Sequence, residues 1–267
     1  MTSRWQHFDY EERDGVATLT FSRPERLNSL TFEVYADIRD LTQELRGRER
    51  EIRVLVIRGQ GRGFCSGGDV DEIIGELLKR GTREVYEFAH MTGECVRNIR
   101  EMPQPAIAAV NGIAAGAGAV LAAASDIRVL AASASFRFLF TSVGLSGGDM
   151  GICWLLPRII GWGRASEALL LGGKIGSREA LEWGLASQVV EDDQLDAAVA
   201  EYASKLKELA PWGLAMTKQM LNRAASSDYS TGIEMEAFTQ SLLMTAEDFK
   251  EFYAGFTSGR KPEFQGR

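Results

Sequence analysis

The chain has 267 residues, 45% of them hydrophobic, with 30 basic against 37 acidic side chains and a net charge of −7. That length can bury a large core as one domain, and an acidic balance with no basic cluster disfavours a nucleic-acid surface or an anionic membrane face as partner. The three cysteines, at 65, 95 and 153, form no CxxC pair, which argues against a zinc site and fits a reducing, cytoplasmic setting.

The opening stretch MTSRWQHFDYEERDG carries charges throughout and no apolar segment, unlike a signal or transit peptide. Strand-like runs at 8–12 and 16–21 meet at Asp14-Gly15, a hairpin dipeptide. After the loop RPERLNSL, 23–30, Thr31 is placed to cap a helix reaching about residue 46, with Phe32, Tyr35, Ile38, Leu41 and Leu45 on one face. Gly47 stops it. A buried strand is expected at 54–57, then a glycine-rich loop, GQGRGFCSGGD, 59–69. Helical periodicity follows at 70–79, with Asp69 as its cap, and again at 82–102.

Pro103 and Pro105 end that helix and feed a strand at 106–110. The strand enters the run IAAVNGIAAGAGAVLAAAS, 107–125, which reads as strand, glycine-broken turn and alanine-rich helix. Gly112, Gly116 and Gly118 let backbone approach closely there. A helix beginning near Gly116 turns its free N–H groups and positive dipole end toward an oxygen carrying negative charge. Asn111 and the small residues make this run unsuited to crossing a membrane.

Further strands are expected at 127–130 and 136–140, and the loop GLSGGDMG, 144–151, leads into a helix near 153–160. Beyond 164 helices dominate, with Ser177 placed as a cap, a short strand at 188–190 and long amphipathic helices over 193–250. Alternating strand and helix followed by a helical last quarter define an α/β chain with no tandem repeat. The glycines at 112, 116 and 118 only loosely imitate a dinucleotide fingerprint, because Asp126 comes too early for its acidic residue. GRGFCSGGD lacks the lysine of a P-loop.

RPERLNSL (23–30), GRGFCSGGDV (61–70), AAVNGIAAGAGA (108–119) and LPRIIG (156–161) resemble, in order and at the expected spacing, the four signature blocks of the crotonase (enoyl-CoA hydratase/isomerase) superfamily. The C-terminal GRKPEFQGR resembles that family's ending. The resemblance implies a spiral of ββα turns over 1–200 and a helical oligomerisation region over 201–267, assembled as a homotrimer or hexamer. It implies an acyl-CoA thioester as substrate, no metal, and no cofactor beyond the coenzyme A that the substrate carries. It also implies an oxyanion hole made by the backbone N–H groups of Gly68 and Ala117; such donors contribute about a hundred- to a thousand-fold in rate each. Arg26, Leu27 and Ser66 match stretches that line the CoA tail in relatives. Phe256 matches a position reaching CoA from a neighbouring subunit, and Lys261 stands near enough in sequence to take a phosphate contact. A surface arginine and a solvated tail lysine are the plain alternatives for Arg26 and Lys261.

Family hydratases carry two glutamates, which fall in this chain at Val120 and Phe140. Asp149 instead sits seven residues before LPRIIG, where dienoyl-CoA isomerases and the epoxide/oxepin-forming isomerases of the phenylacetate pathway place an aspartate. The latter type is also similar in PERLNS, GRGFC, AAGAGA and WLLPR. One carboxylate suits a proton shuttle, and hence double-bond isomerisation through a dienolate. Val120, Phe140 and Trp154 are expected to line the acyl pocket and bury Asp149, raising its pKa.

On residue type alone, Asp149 as a helix cap stands level with Asp149 as a catalytic group; its position in the resemblance favours catalysis. Hydration using Asp149 and a non-catalytic acyl-CoA-binding role are the alternatives. Dehalogenation is the weaker reading, because Phe140 replaces the tryptophan it needs and His90 lies near, not at, the histidine position. Cys65, without a recognisable histidine or acid partner, reads as packing.

Overall fold

The structure, a computed structural model, describes residues 4–267; the first three residues of the opening stretch lie outside it. Among the described residues the strands are, in chain order, β1 (Asp9–Arg13), β2 (Val16–Phe21), β3 (Val54–Gly59), β4 (Gly63–Cys65), β5 (Ala106–Val110), β6 (Ile113–Ala115), β7 (Ile127–Ala131), β8 (Ser135–Arg137), β9 (Lys174–Gly176) and β10 (Gln188–Val190). The α-helices are α1 (Phe32–Glu44), α2 (Gly75–Leu77), α3 (Thr82–Glu101), α4 (Ala117–Ala124), α5 (Ile152–Ile160), α6 (Trp162–Leu171), α7 (Ser177–Glu182), α8 (Leu195–Lys207), α9 (Pro211–Ala224), α10 (Tyr229–Thr245) and α11 (Glu247–Ser258).

Three successive units each lay one strand in a large sheet and the next in a small one. The large sheet has the order β1-β2-β3-β5-β7-β10 and the small one β4-β6-β8-β9. β3, β5 and β7 run parallel, pairing Ile57 with Ala108 and Ala108 with Arg128, while β6 pairs in parallel with β4 and β8. With α3, α4 and α5 following, this is a ββα spiral. β5 is buried throughout and β3 nearly so, which explains their unbroken apolar composition.

Several elements differ from the sequence expectation, each for a local reason. The strand expected at 136–140 stops at Arg137, because its antiparallel partner β9 begins opposite, at Lys174. Phe140 therefore lies in a 3-10 turn, Leu139–Val143. The helix expected at 70–79 opens instead as a π-helical turn, Val70–Ile74, in which the Ile74 N–H reaches back to the Asp69 carbonyl at 3.3 Å. Asp69 caps it as expected, accepting from the N–H groups of Asp71 and Glu72. Gly176, not Ser177, is the N-cap of α7, and the Ser177 hydroxyl donates instead to the Ala132 carbonyl at 2.7 Å.

The C-terminal helices join the spiral through buried polar contacts. α8 runs across residue 200. Lys218 of α9 is 6% exposed, yet its ammonium donates to the carbonyls of Ile99 (2.7 Å) and Gln104 (2.8 Å) and pairs with Asp126 at 2.7 Å. All three of its N–H donors have partners, the condition for burying an ammonium.

Candidate active site

The glycine-rich segments after β3 and β5 meet because side chains are missing where backbone must pass. A Cβ on Gly118 would stand 2.3 Å from the Cys65 carbonyl oxygen, and one on Gly67 would stand 3.3 Å from the Ala117 nitrogen. Gly116 caps α4 at φ 49° and ψ −125°, outside the range of residues with a Cβ. Ala117 thereby becomes the first residue of α4, where a backbone N–H has no intrahelical acceptor. Neither the Gly68 nor the Ala117 N–H has an acceptor among the described residues. Two such donors at one crevice can hold one oxygen.

Two side-chain amides, Asn28 buried and Asn111 half-buried, fix the loops around this crevice. Asn28, in the left-handed region at φ 58°, donates to the carbonyls of Gln60 (3.0 Å) and Gly63 (2.8 Å). Asn111 donates to Gly61 at 2.8 Å and accepts from the Gly59 N–H at 3.2 Å. Leu30 N–H donates to Gly67 O, and Asp69 N–H donates to Leu30 O, so the 23–30 block holds Gly68 from both sides. Asp69 adds a 3.3 Å ion pair with Arg23 and accepts from the Ser29 hydroxyl at 2.8 Å.

Asp149 is half-buried on the loop before α5. Desolvation raises its pKa above the ordinary carboxylate value, partly offset by the Met150 N–H. It is not a side-chain cap: the N-cap of α5 is Gly151, with no side-chain cap bond. Met150, between them, takes φ 50° although it is buried and carries a side chain. Such a conformation costs of order 1–3 kcal/mol, and the surrounding packing must hold it.

The other expected site residues divide into groups. Val120 and Phe140 are buried and apolar, so no carboxylate stands where the hydratase pair falls. Trp154 is 39% exposed and covered by the Arg158 guanidinium 4.1 Å from its ring; it lines a cavity of about 580 Å³ between α3 and α5, with His90, Arg97 and Met150. His90 is exposed, with Glu94 as its nearest partner at 3.9 Å. Burial pushes the Cys65 thiol up to about 12, leaving it neutral and poorly nucleophilic.

Arg26, Leu27 and Ser66 come together: the Ser66 N–H donates to Leu27 O at 2.9 Å and its hydroxyl to Arg26 O at 3.3 Å. The recorded contacts of Phe256 and Lys261 lie elsewhere, with Phe252 and Glu208. Tyr35 is the residue that sequence reasoning passed over. It reads as one more core position of α1, yet its hydroxyl lies 3.8 Å from the Cβ position of Gly68.

Among the described residues no group of three or more His, Cys, Asp or Glu is placed to hold a metal ion, and no helix is long and apolar enough to cross a membrane.

The ββα spiral with its helical C-terminal region is the crotonase fold. The sequence model of the enoyl-CoA hydratase/isomerase family matches residues 11–267. The chain is 37% identical to the 1,2-epoxyphenylacetyl-CoA isomerase of Escherichia coli, over 95% of this chain and 96% of that protein. It is 30% identical to the short-chain-enoyl-CoA hydratase of Clostridium acetobutylicum, over 94% and 95%. A solved structure of a provisionally named enoyl-CoA hydratase from Streptomyces coelicolor A3(2) superposes with a TM-score of 0.96 at 50% identity, covering 100% of this chain and 97% of that one. The chain belongs to the enoyl-CoA hydratase/isomerase family and is an enzyme of it.

Proposed function

We propose that the protein isomerises the double bond of an enoyl-CoA through a single-aspartate proton shuttle. The thioester oxygen takes the two unpaired N–H groups of Gly68 and Ala117. The Asp149 carboxylate removes a proton from C2 of a 3-enoyl-CoA, the negative charge spreads into a dienolate held by those donors, and the same carboxyl returns the proton to C4. Electrostatic stabilisation of the enolate supplies most of the rate, and proton transfer by a positioned carboxylate adds about a hundred- to ten-thousand-fold. The observation that carries this reading is one desolvated carboxylate, with raised pKa and no capping duty, in a chain that has buried apolar Val120 and Phe140 at the positions of the hydratase pair. A raised pKa brings giving and taking a proton closer in energy.

Exposed Val70, Ile74, Val143 and Leu145, on the segments that flank Gly68 and Asp149 in sequence, offer apolar surface to an acyl chain. Arg26, Leu27 and Ser66 then line the CoA tail, with Phe256 and Lys261 contributed by a neighbouring subunit. Exposed Phe238 and Leu242 on α10, and Phe249, Phe252 and Phe256 on α11, supply apolar area for a trimer. The enzyme works in the cytoplasm with no cofactor of its own.

Product analysis distinguishes isomerisation from hydration. Incubated in heavy water, a 3-enoyl-CoA is converted to the 2-enoyl isomer, while crotonyl-CoA yields no hydroxyacyl product. Accumulation of hydroxyacyl-CoA from crotonyl-CoA would establish hydration by Asp149 instead.

A further inference from the structure

Asp149 is carried by the loop 144–151, and two glycines stand immediately before it, each against a different helix. A Cβ on Gly147 would stand 2.7 Å from the Leu169 carbonyl oxygen and 3.3 Å from the Leu169 carbonyl carbon and Cβ, in the last turn of α6. One on Gly148 would stand 3.0 Å from the Cys153 Sγ, in the first turn of α5. Hydrogen bonds close the loop around these contacts. The Ser146 hydroxyl accepts from the Gly148 N–H at 3.0 Å, the Phe140 carbonyl from the Leu145 N–H at 2.9 Å, and the Asp149 carbonyl from the Ile152 N–H at 3.0 Å. The Thr141 hydroxyl donates to the Leu170 carbonyl at 3.1 Å, taking up a last-turn oxygen of α6 that has no intrahelical donor. The backbone is tied to α6 before Asp149 and to α5 after it.

We propose that Gly147 and Ser146 are positioning residues for the proton shuttle: Gly147 lets the loop lie directly on the Leu169 carbonyl of α6, and Ser146 fixes the turn that carries Asp149 away from that contact. This rests on the Asp149 reading above. Gly147 stands two residues before Asp149, so a displacement at the α6 contact reaches the carboxylate with little chain to absorb it. α6 thereby sets where the proton is taken up and returned, although it supplies no group to the chemistry.

Gly147→Ala sets a methyl against backbone, a clash that no side-chain rotation relieves, and the loop must lift from α6 by about 0.5–1 Å. A misplacement of about 1 Å costs about a hundredfold. With a 3-enoyl-CoA, kcat therefore falls about ten- to a hundredfold, while KM, set by the CoA tail and the Gly68–Ala117 crevice, stays within about twofold. Ser146→Ala, at an exposed position, removes one acceptor, lowers kcat about two- to tenfold, and serves if Gly147→Ala does not fold. A purely structural loop would lower Tm and leave kcat in place. Wild-type kcat in the variant measured overturns the proposal, and so does a loss of kcat/KM carried by KM alone. The same substitution made in Asp149→Asn has no carboxylate left to place, so it costs at most about twofold more; an undiminished loss there shows that the loop acts on another group and also overturns the proposal. Asp149→Asn alone separates the two readings: if it is fully active the shuttle itself falls, and if it is inactive while the loop variants keep wild-type kcat, only the positioning role falls.

Discussion

Replacing Gly118 by alanine disturbs the crevice without altering any of its proposed groups. The added methyl would stand 2.3 Å from the Cys65 carbonyl oxygen, 2.7 Å from its Cβ and 2.8 Å from its carbonyl carbon. Carbon contacts are comfortable at about 3.5 Å, so β4 and α4 must part by about 1 Å, and no side-chain rotation relieves a clash with backbone. Overpacking costs about 1–3 kcal/mol, while alanine favours the helix over glycine by about 1 kcal/mol, leaving a net loss of about 0–2 kcal/mol. The catalytic loss is larger. Shifting Gly68 relative to Ala117 by about 1 Å costs about a hundredfold in kcat. Steady-state kinetics on a 3-enoyl-CoA, with calorimetric Tm, reads both effects. Gly93→Ala is the control: in mid-α3, with nothing within 4 Å of its Cβ position, it gains up to about 1 kcal/mol at unchanged kcat. Wild-type kcat and Tm in Gly118→Ala would refute a crevice built on that close approach.

Asp149→Asn should raise Tm at neutral pH. The folded pKa lies above the ordinary 3.8, so this group's contribution is present below that value and is lost as pH rises through the folded pKa; the variant's advantage therefore shrinks in acid, and equal Tm at pH 7 would contradict the desolvation argument. Lys218→Met removes one partner of Asp126, which keeps Arg100 at 3.6 Å, and leaves two carbonyls at a buried site without their donor, a loss of about 1–3 kcal/mol in urea denaturation; a loss under about 1 kcal/mol would show that the ion pair does not tie α9 to the spiral. Phe252→Glu places a charge among the exposed aromatics of α11. Sedimentation should then show a monomer, whereas an intact trimer would remove this face from the interface.

The long elements were legible because their signals span many residues. The capping position of Thr31, the face carrying Ile38 and Leu41, and the apolar runs of β3 and β5 all stand where the pattern puts them. β4, β6 and β9, three residues each, are too short to show a period; β4 and β6 lie inside segments that read as glycine-rich loop and turn, and β9 inside the stretch beyond 164 that reads as mainly helical. Site residues were read less evenly. Gly68 and Ala117 are assigned through their positions in the family resemblance, whereas Tyr35 shares the α1 core face, and only the fold reveals that its hydroxyl lies 3.8 Å from the Cβ position of Gly68. Asp149 as cap or catalyst was undecidable from its residue type; the left-handed turn at Met150 and Gly151 removes it from the capping position. Trp154 is expected from the sequence to line the acyl pocket and help bury Asp149; its ring stands at the surface under Arg158, on the cavity between α3 and α5.

The most direct measurement is the turnover of a 3-enoyl-CoA by Asp149→Asn, with Tm recorded alongside. With Asp149 as the sole carboxylate that moves the proton, kcat falls by about a hundred- to ten-thousand-fold in a protein at least as stable as the wild type. A variant that isomerises at the wild-type rate would contradict that assignment.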